Sequence, residues 1–157
     1  MAIQITSDAF QNGEPIPMRH TCDGEDLSPP LRWSGVPEGA QSLVLITDDP
    51  DAPAGTWVHW VMFNIPPGLG ELPEGVPPTE TFDDGRRHGI NDFRRPGYGG
   101  PCPPPGRPHR YFFRLYALDC RLDLPSGVRR AQVDQAMAGR VLAQGELMGT
   151  YGRSGKR

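Results

Sequence analysis

Proline has no backbone N–H and a fixed φ, so it breaks a helix interior or a central strand. In this chain it crowds three segments, Asp23 to Pro30, Pro66 to Pro78 and Pro96 to Pro108, and none of them can be a helix or a central strand. Strands and helices must come from the sequence between, joined by long ordered loops. Glycine tightens the constraint: with 20 Gly and 19 Pro in 157 residues, about a quarter of the positions favour turns. Helical bundles and collagen-like repeats are excluded. The 36% apolar share still suffices for a core, and the length matches one domain. Residues 1–152 read as that domain, and 153–157, short and basic, as a frayed tail.

Four stretches read as strands. Residues 2–6 alternate weakly, while Ser42 to Thr47, Thr56 to Ile65 and Tyr111 to Leu118 are rich in β-branched and aromatic residues and bounded by Pro, Gly or Asp. One helix is expected over Arg130 to Met148, with Val133, Met137, Val141, Gln144 and Met148 on one stripe, stopped by Gly149. Strands first and a helix last favour antiparallel sheets over a βαβ arrangement. The long stretch Pro66 to Pro108 contains Phe82, Ile90, Phe93 and Tyr98 and is expected to be ordered.

A balance of 16 basic against 19 acidic residues, net −3, offers no sequence-wide field for nucleic acid or an anionic membrane. No apolar run reaches the ~18–20 residues of a spanning helix, and the first 18 residues carry no signal-peptide pattern, so the chain reads as cytoplasmic. Cys22, Cys102 and Cys120 make an odd count without metal-type spacing; in a reducing cytosol three thiols are expected, although a Cys22–Cys102 pair is left open by the sequence.

The chemistry-bearing residues gather in a few places. Asp49-Pro50-Asp51-Ala52-Pro53 closes a strand with two carboxylates held by prolines. On the next strand the period of two puts Trp57, His59, Val61 and Phe63 on one face, and on the third it does the same for His109, Tyr111, Phe113 and Leu115. Each strand thus brings a His and an aromatic residue to one side. A lone His on an apolar face is commonly a core residue and an Asp pair beside proline commonly a turn, so the functional reading requires convergence. If they converge, the set suits an oxyanion, recognised by imidazoles, a hydroxyl and the amides of the loop Gly97 to Gly106. The carboxylates would then raise the imidazole pKa values and fix their tautomers. No metal or cofactor signature is present, and no Gly-x-Ser-x-Gly elbow supplies a nucleophile.

These residues fall in motifs whose order resembles the phosphatidylethanolamine-binding protein family, in its bacterial and archaeal Raf kinase inhibitor-like branch. The carriers are His20-Thr21-Cys22-Asp23-Gly24 with Ser28-Pro29-Pro30-Leu31, the Asp49 to Pro53 corner, Trp57-Val58-His59-Trp60 with Asn64-Ile65-Pro66, Asn91-Asp92, Gly97-Tyr98, Gly100-Pro101-Cys102-Pro103-Pro104, and His109-Arg110-Tyr111. The resemblance runs from about Ile3 to Tyr151. It implies a mostly β fold, a central antiparallel sheet packed on a smaller sheet with peripheral helices, and a pocket for phosphate-like anions and phospholipid head groups. It places that pocket on Asp49, Asp51, Pro53, Trp57, His59, Gly100, Pro101, His109 and Tyr111, and it is compatible with a homodimer.

Three functions compete. The leading one is a binding module that captures a phosphate-bearing small molecule or a phosphorylated group and modulates a partner protein. The second is an inhibitor of a kinase or protease acting through a surface loop, with Arg86-Arg87 and Arg94-Arg95 as its basic stretch. The third is a hydrolase or lyase using His59 or His109 as base, which ranks last because no nucleophile or metal cluster accompanies them.

Overall fold

The computed structural model describes residues 2–153. A five-stranded sheet is formed by β3 (Ser42–Asp49), β4 (Trp57–Ile65), β6 (Arg87–His88), β7 (His109–Leu118) and β8 (Val141–Tyr151), in the order β6-β4-β3-β7-β8. A three-stranded sheet is formed by β1 (Gln4–Thr6), β2 (Leu31–Ser34) and β5 (Glu71–Leu72), in the order β1-β2-β5. Every strand pair in both sheets is antiparallel.

The two faces of the large sheet are covered by different things. One face, carrying Leu43, Leu45, Trp60, Met62, Tyr111, Phe113 and Leu115, packs on Ile3, Ile5, Leu31, Trp33 and Leu72 of the small sheet side. The other, carrying Val44, Ile46, Val61 and Phe63, packs on Leu122, Val128 and the helix residues Val133 and Met137. All eight residues of β3 are therefore buried. That is why its centre, Leu43 to Ile46, is a continuous apolar run and not an alternation. On the helix side Asp48 is buried between Arg114 and Arg130, at 3.2 and 2.6 Å. This ties the first residue of the helix to the central strand.

The helix, α1 (Arg130–Met137), is less than half the expected length, and Val141–Tyr151 is strand, not helix. Gly139, at φ +78°, turns the chain out of the helix in a conformation that only glycine adopts without strain. Beyond it β8 pairs with β7 from Leu118↔Val141 to His109↔Tyr151. Two small residues admit close neighbours there: a side chain at Gly145 would collide with the Ile3 backbone, and one at Gly149 with Phe10 and Ile16. The apolar stripe at helical spacing is outweighed by ten residues of sheet pairing and by the inward set Ala143, Leu147 and Gly149.

The long stretch before β7 is ordered. β5 and β6 pair within the sheets, and Asn91 holds a tight turn by accepting from the Phe93 N–H at 2.9 Å and donating to the Gly97 carbonyl at 2.8 Å. No described peptide bond is cis. At the C-terminus Arg153 is not frayed: it pairs with Asp23 at 3.1 Å and donates to the Pro103 carbonyl at 3.3 Å. Residues 154–157 of the expected tail lie outside the described residues.

Candidate functional site

Where β3 ends, β4 begins and β7 begins, the polar side chains named from the sequence meet. The pairing of β3 with β4 steps from Thr47↔Trp60 to Asp48↔Val58, so His59 is the extra residue of a β-bulge. The bulge shifts the alternation. Trp57, His59 and Trp60 lie on the small-sheet side, whereas Val61 and Phe63 turn to the helix side. The expected single face of Trp57, His59, Val61 and Phe63 is thus corrected by one inserted residue. The β7 set of His109, Tyr111, Phe113 and Leu115 keeps its period, with Tyr111, Phe113 and Leu115 all in the core between the sheets.

A cavity of about 210 Å³ opens at this end of the sheet. Its polar floor is Asp49, His59, His109 and Tyr111, and its rim is apolar, from Ala52, Pro53, Trp57, Phe93, Pro103 and Pro104, with Cys102 beside them. Six of the nine positions that the sequence reading assigned to the pocket line this cavity. Asp51, Gly100 and Pro101 do not. Asp51 turns outward to Arg110, with two contacts of 2.9 Å, and that guanidinium holds its carboxyl down to about 2. Gly100 and Pro101 stand behind the wall. The Gly100 N–H donates to Asp26 at 2.9 Å, the Pro101 carbonyl accepts from Cys22 N–H at 3.1 Å, and a side chain at Gly100 would strike the His20 carbonyl. Ala52, Phe93, Cys102, Pro103 and Pro104 also line the cavity and are not among those nine positions. A Pro-rich loop gives no direction to its side chains, and nothing in the sequence sets Phe93 against Trp57 and His59.

The floor is a connected set. His109 Nδ1 donates to Asp49 Oδ2 at 2.7 Å, and Asp49 Oδ1 accepts the Asp51 N–H at 2.8 Å. His59 Nδ1 donates to the Gly99 carbonyl at 2.6 Å. Its ring stands edge-on to Tyr111 and Phe93, with centroids at 5.3 and 5.4 Å. The expectation that carboxylates raise the imidazoles fails at His59, where burial pushes the ring below the usual histidine range and outweighs the Gly99 carbonyl and the nearby acids. Tyr111 is buried beside Asp49, and among the described residues its hydroxyl makes no hydrogen bond of good geometry. Burial and then the Asp49 charge push that phenol well up.

The wall is pinned by a disulfide. Cys22 and Cys102 are bonded, with Cα atoms 5.4 Å apart, and only Cys120 is free. The expectation of three thiols is overturned because the loop after the 3₁₀ turn Met18–His20 packs directly under the Pro-rich wall. An odd cysteine count does not forbid one pair. Such bonds persist where the surroundings are oxidising, so the cysteine argument for a reducing compartment loses its support. Among the described residues no helix is long and apolar enough to cross a membrane.

Two antiparallel sheets face to face, with a His- and carboxylate-floored cavity at the end of the larger one, define a ligand-binding β fold. The comparisons with known proteins are specific. The family profile described as phosphatidylethanolamine-binding protein matches residues 6–152. A UPF0098 protein of Methanothermobacter thermautotrophicus is 53% identical over 96% of this chain and 99% of its own length, and one of Aquifex aeolicus is 50% identical over 96% and 89%. Among solved structures, a homologue of this family from Chlamydia trachomatis superposes with a TM-score of 0.88 at 43% identity, covering 98% of this chain and 99% of that one. Escherichia coli YbcL, described as a member of the mammalian family, gives 0.86 at 34% identity over 97% and 99%. The chain belongs to the phosphatidylethanolamine-binding protein family.

Proposed function

We propose that this protein is a binding module whose cavity captures a small oxyanion, the phosphate of a small molecule, head group or modified side chain, and performs no chemistry on it. The observation that carries the reading is the convergence of His59, His109 and the buried, unpartnered Tyr111 hydroxyl on one cavity of about 210 Å³. A buried hydroxyl without a partner costs free energy unless a ligand supplies one. The volume suits a phosphate with a short substituent. The apolar rim suits the carbon part of such a ligand.

Binding without turnover is favoured by the state of two groups at the cavity. Cys102 is in a disulfide and the Tyr111 phenol is pushed up, so neither is an activated nucleophile. The family name fits the reading, since an ethanolamine phospholipid carries a phosphate in its head group. A partner protein would sense the occupied cavity through its Trp57 and Pro-rich rim. The surface-loop alternative has less to stand on: Arg86 is held by Asp84 at 2.8 Å, Arg87 donates to the Leu124 carbonyl at 2.6 Å, and Arg95 faces Asp26 at 3.5 Å.

The test is calorimetric titration of phosphoethanolamine into the wild type and a Tyr111→Phe variant. Saturable binding that weakens in the variant is expected. No heat and no rise in Tm at saturating phosphoethanolamine would overturn the reading.

A further inference from the structure

The cavity wall has few ties of its own. Five of the eight residues from Pro101 to Pro108 are proline, so its main chain offers N–H groups only at Cys102, Gly106 and Arg107. The Gly106 N–H bonds the Arg153 carbonyl at 2.9 Å, and the Arg153 guanidinium reaches the Pro103 carbonyl at 3.3 Å and Cys102 Sγ at 3.9 Å. The other ties run to the loop after the 3₁₀ turn: the Cys22 N–H donates to the Pro101 carbonyl at 3.1 Å, and the Cys22–Cys102 disulfide lies beside it. That loop is firm without the wall. Thr21 is fully buried and its hydroxyl donates to the Met18 carbonyl at 2.8 Å, while Asp23 accepts from the Tyr151 hydroxyl at 2.6 Å. Cys22 thus stands on a fixed base, and Cys102, Pro103 and Pro104, which line the cavity, hang from it by the bond. Both cysteines are exposed, so a thiol in solvent can reach them.

We propose that the Cys22–Cys102 disulfide is a redox switch on the cavity: the bond holds the Pro-rich wall in place, and a dithiol reductant breaks it and frees Cys102, Pro103 and Pro104 while both sheets stay folded. The effect on a ligand rests on reading the cavity as a binding site; the release of the wall does not. A thiolate of the dithiol attacks Cys22 Sγ, the bond between the two sulfurs breaks, and Cys102 leaves as a thiolate. The second thiolate of the reductant then attacks its own sulfur in the mixed disulfide and displaces Cys22. Two electrons pass to the cysteine pair, the reductant ends as an internal disulfide, and its two protons go to the cysteines or to solvent. Charge sets the direction of attack. The Arg153 guanidinium beside Cys102 stabilises a thiolate there, and the more stable thiolate leaves faster. Cys22 is followed by the Asp23 carboxylate, which disfavours a thiolate at Cys22. Neither cysteine lies in a strand, so breaking the bond removes no pairing from either sheet.

The test uses Cys120→Ser, which removes the one free thiol, reduced with dithiothreitol and then reoxidised. Cys22 and Cys102 should become reactive thiols in protein whose near-ultraviolet circular dichroism is kept. Amide exchange at Cys22 and Gly106 should rise roughly tenfold or more while that of β3 holds, and phosphoethanolamine affinity should fall roughly tenfold. Reoxidation should restore both. Glutathione, a monothiol, should be trapped on Cys22 with Cys102 left to an alkylating label; the reverse would overturn the part given to Arg153. A bond that yields only as the protein unfolds is a structural staple and overturns the inference, as does a reduced, folded protein with unchanged exchange at Cys22 and Gly106 or with unchanged affinity. If phosphoethanolamine binds neither form, the oxyanion reading falls, and exchange alone decides the switch: a rise supports it and no change overturns it. The wild type, in which Cys120 adds one constant thiol, gives the same exchange comparison should the variant fold poorly.

Discussion

His109 Nδ1 donates across the sheet to Asp49 Oδ2 at 2.7 Å, joining the first residue of β7 to the last of β3. Because the other carboxylate oxygen is held by the Asp51 N–H at 2.8 Å, neither the acid nor the ring is free to turn. Asp49→Asn keeps the shape and replaces the carboxylate that holds the His109 ring in place. We expect its affinity for phosphoethanolamine at neutral pH to fall roughly tenfold, with a stability loss of about 1–3 kcal/mol from the weakened buried bond. Titration beside urea unfolding separates the two effects. Unchanged affinity would reduce the pair to a structural tie.

Tyr111 tests the opposite side of the ledger between fold and function. Its hydroxyl is buried without a partner, so Tyr111→Phe should leave stability within about 1 kcal/mol of wild type, or raise it slightly, while lowering oxyanion affinity about tenfold. Chemical denaturation and calorimetry on the same samples check this. A stability loss of several kcal/mol with intact binding would show that the hydroxyl serves the core.

Much of the site was legible because strand periodicity is strict. Tyr111, Phe113 and Leu115 followed from a period of two, and the acids followed from the proline-bracketed end of a strand. Three things were not legible, each for its own reason. A bulge adds one residue without any mark in composition, so the fate of Val61 and Phe63 depended on pairing at Thr47 and Asp48. Val141–Tyr151 fits a helical stripe locally, and only its ten partners on β7 make it a strand. The short strands β2, β5 and β6, of four, two and two residues, lie below the length at which a pattern can repeat.

The wall loop from Pro101 to Pro108 has few backbone donors, so its position leans on Cys22–Cys102, on the Gly106 N–H to Arg153 carbonyl bond at 2.9 Å and on the Arg153 side chain. Cys22→Ser should cost about 2–4 kcal/mol of stability and weaken oxyanion binding, since Pro103 and Pro104 of the wall line the cavity. In unfolded, unreduced protein the single free thiol expected is Cys120, and reduction should expose all of Cys22, Cys102 and Cys120. Reaction of all three without reductant would contradict the bond.

His88 gives a pH dependence of stability that is separate from binding. The ring is fully buried; its Nε2 accepts from Trp60 Nε1 at 3.0 Å and its Nδ1 donates to the Thr79 carbonyl at 2.7 Å, so the neutral form is satisfied at both ends. Burial pushes its pKa down to about 4. An unfolded chain takes up that proton near the ordinary value of 6.5. Between these two values the unfolded state binds more protons than the native one, so stability falls as pH falls. It is complete above about pH 6.5 and reduced by about 3 kcal/mol once pH drops below about 4. A protonated ring would also set a second N–H against the Trp60 N–H. Urea unfolding of wild type and His88→Gln across this range should show a steeper acid loss in the wild type, the difference cancelling the share due to His59, which burial also lowers. Parallel pH profiles for the two proteins would mean that His88 does not carry it.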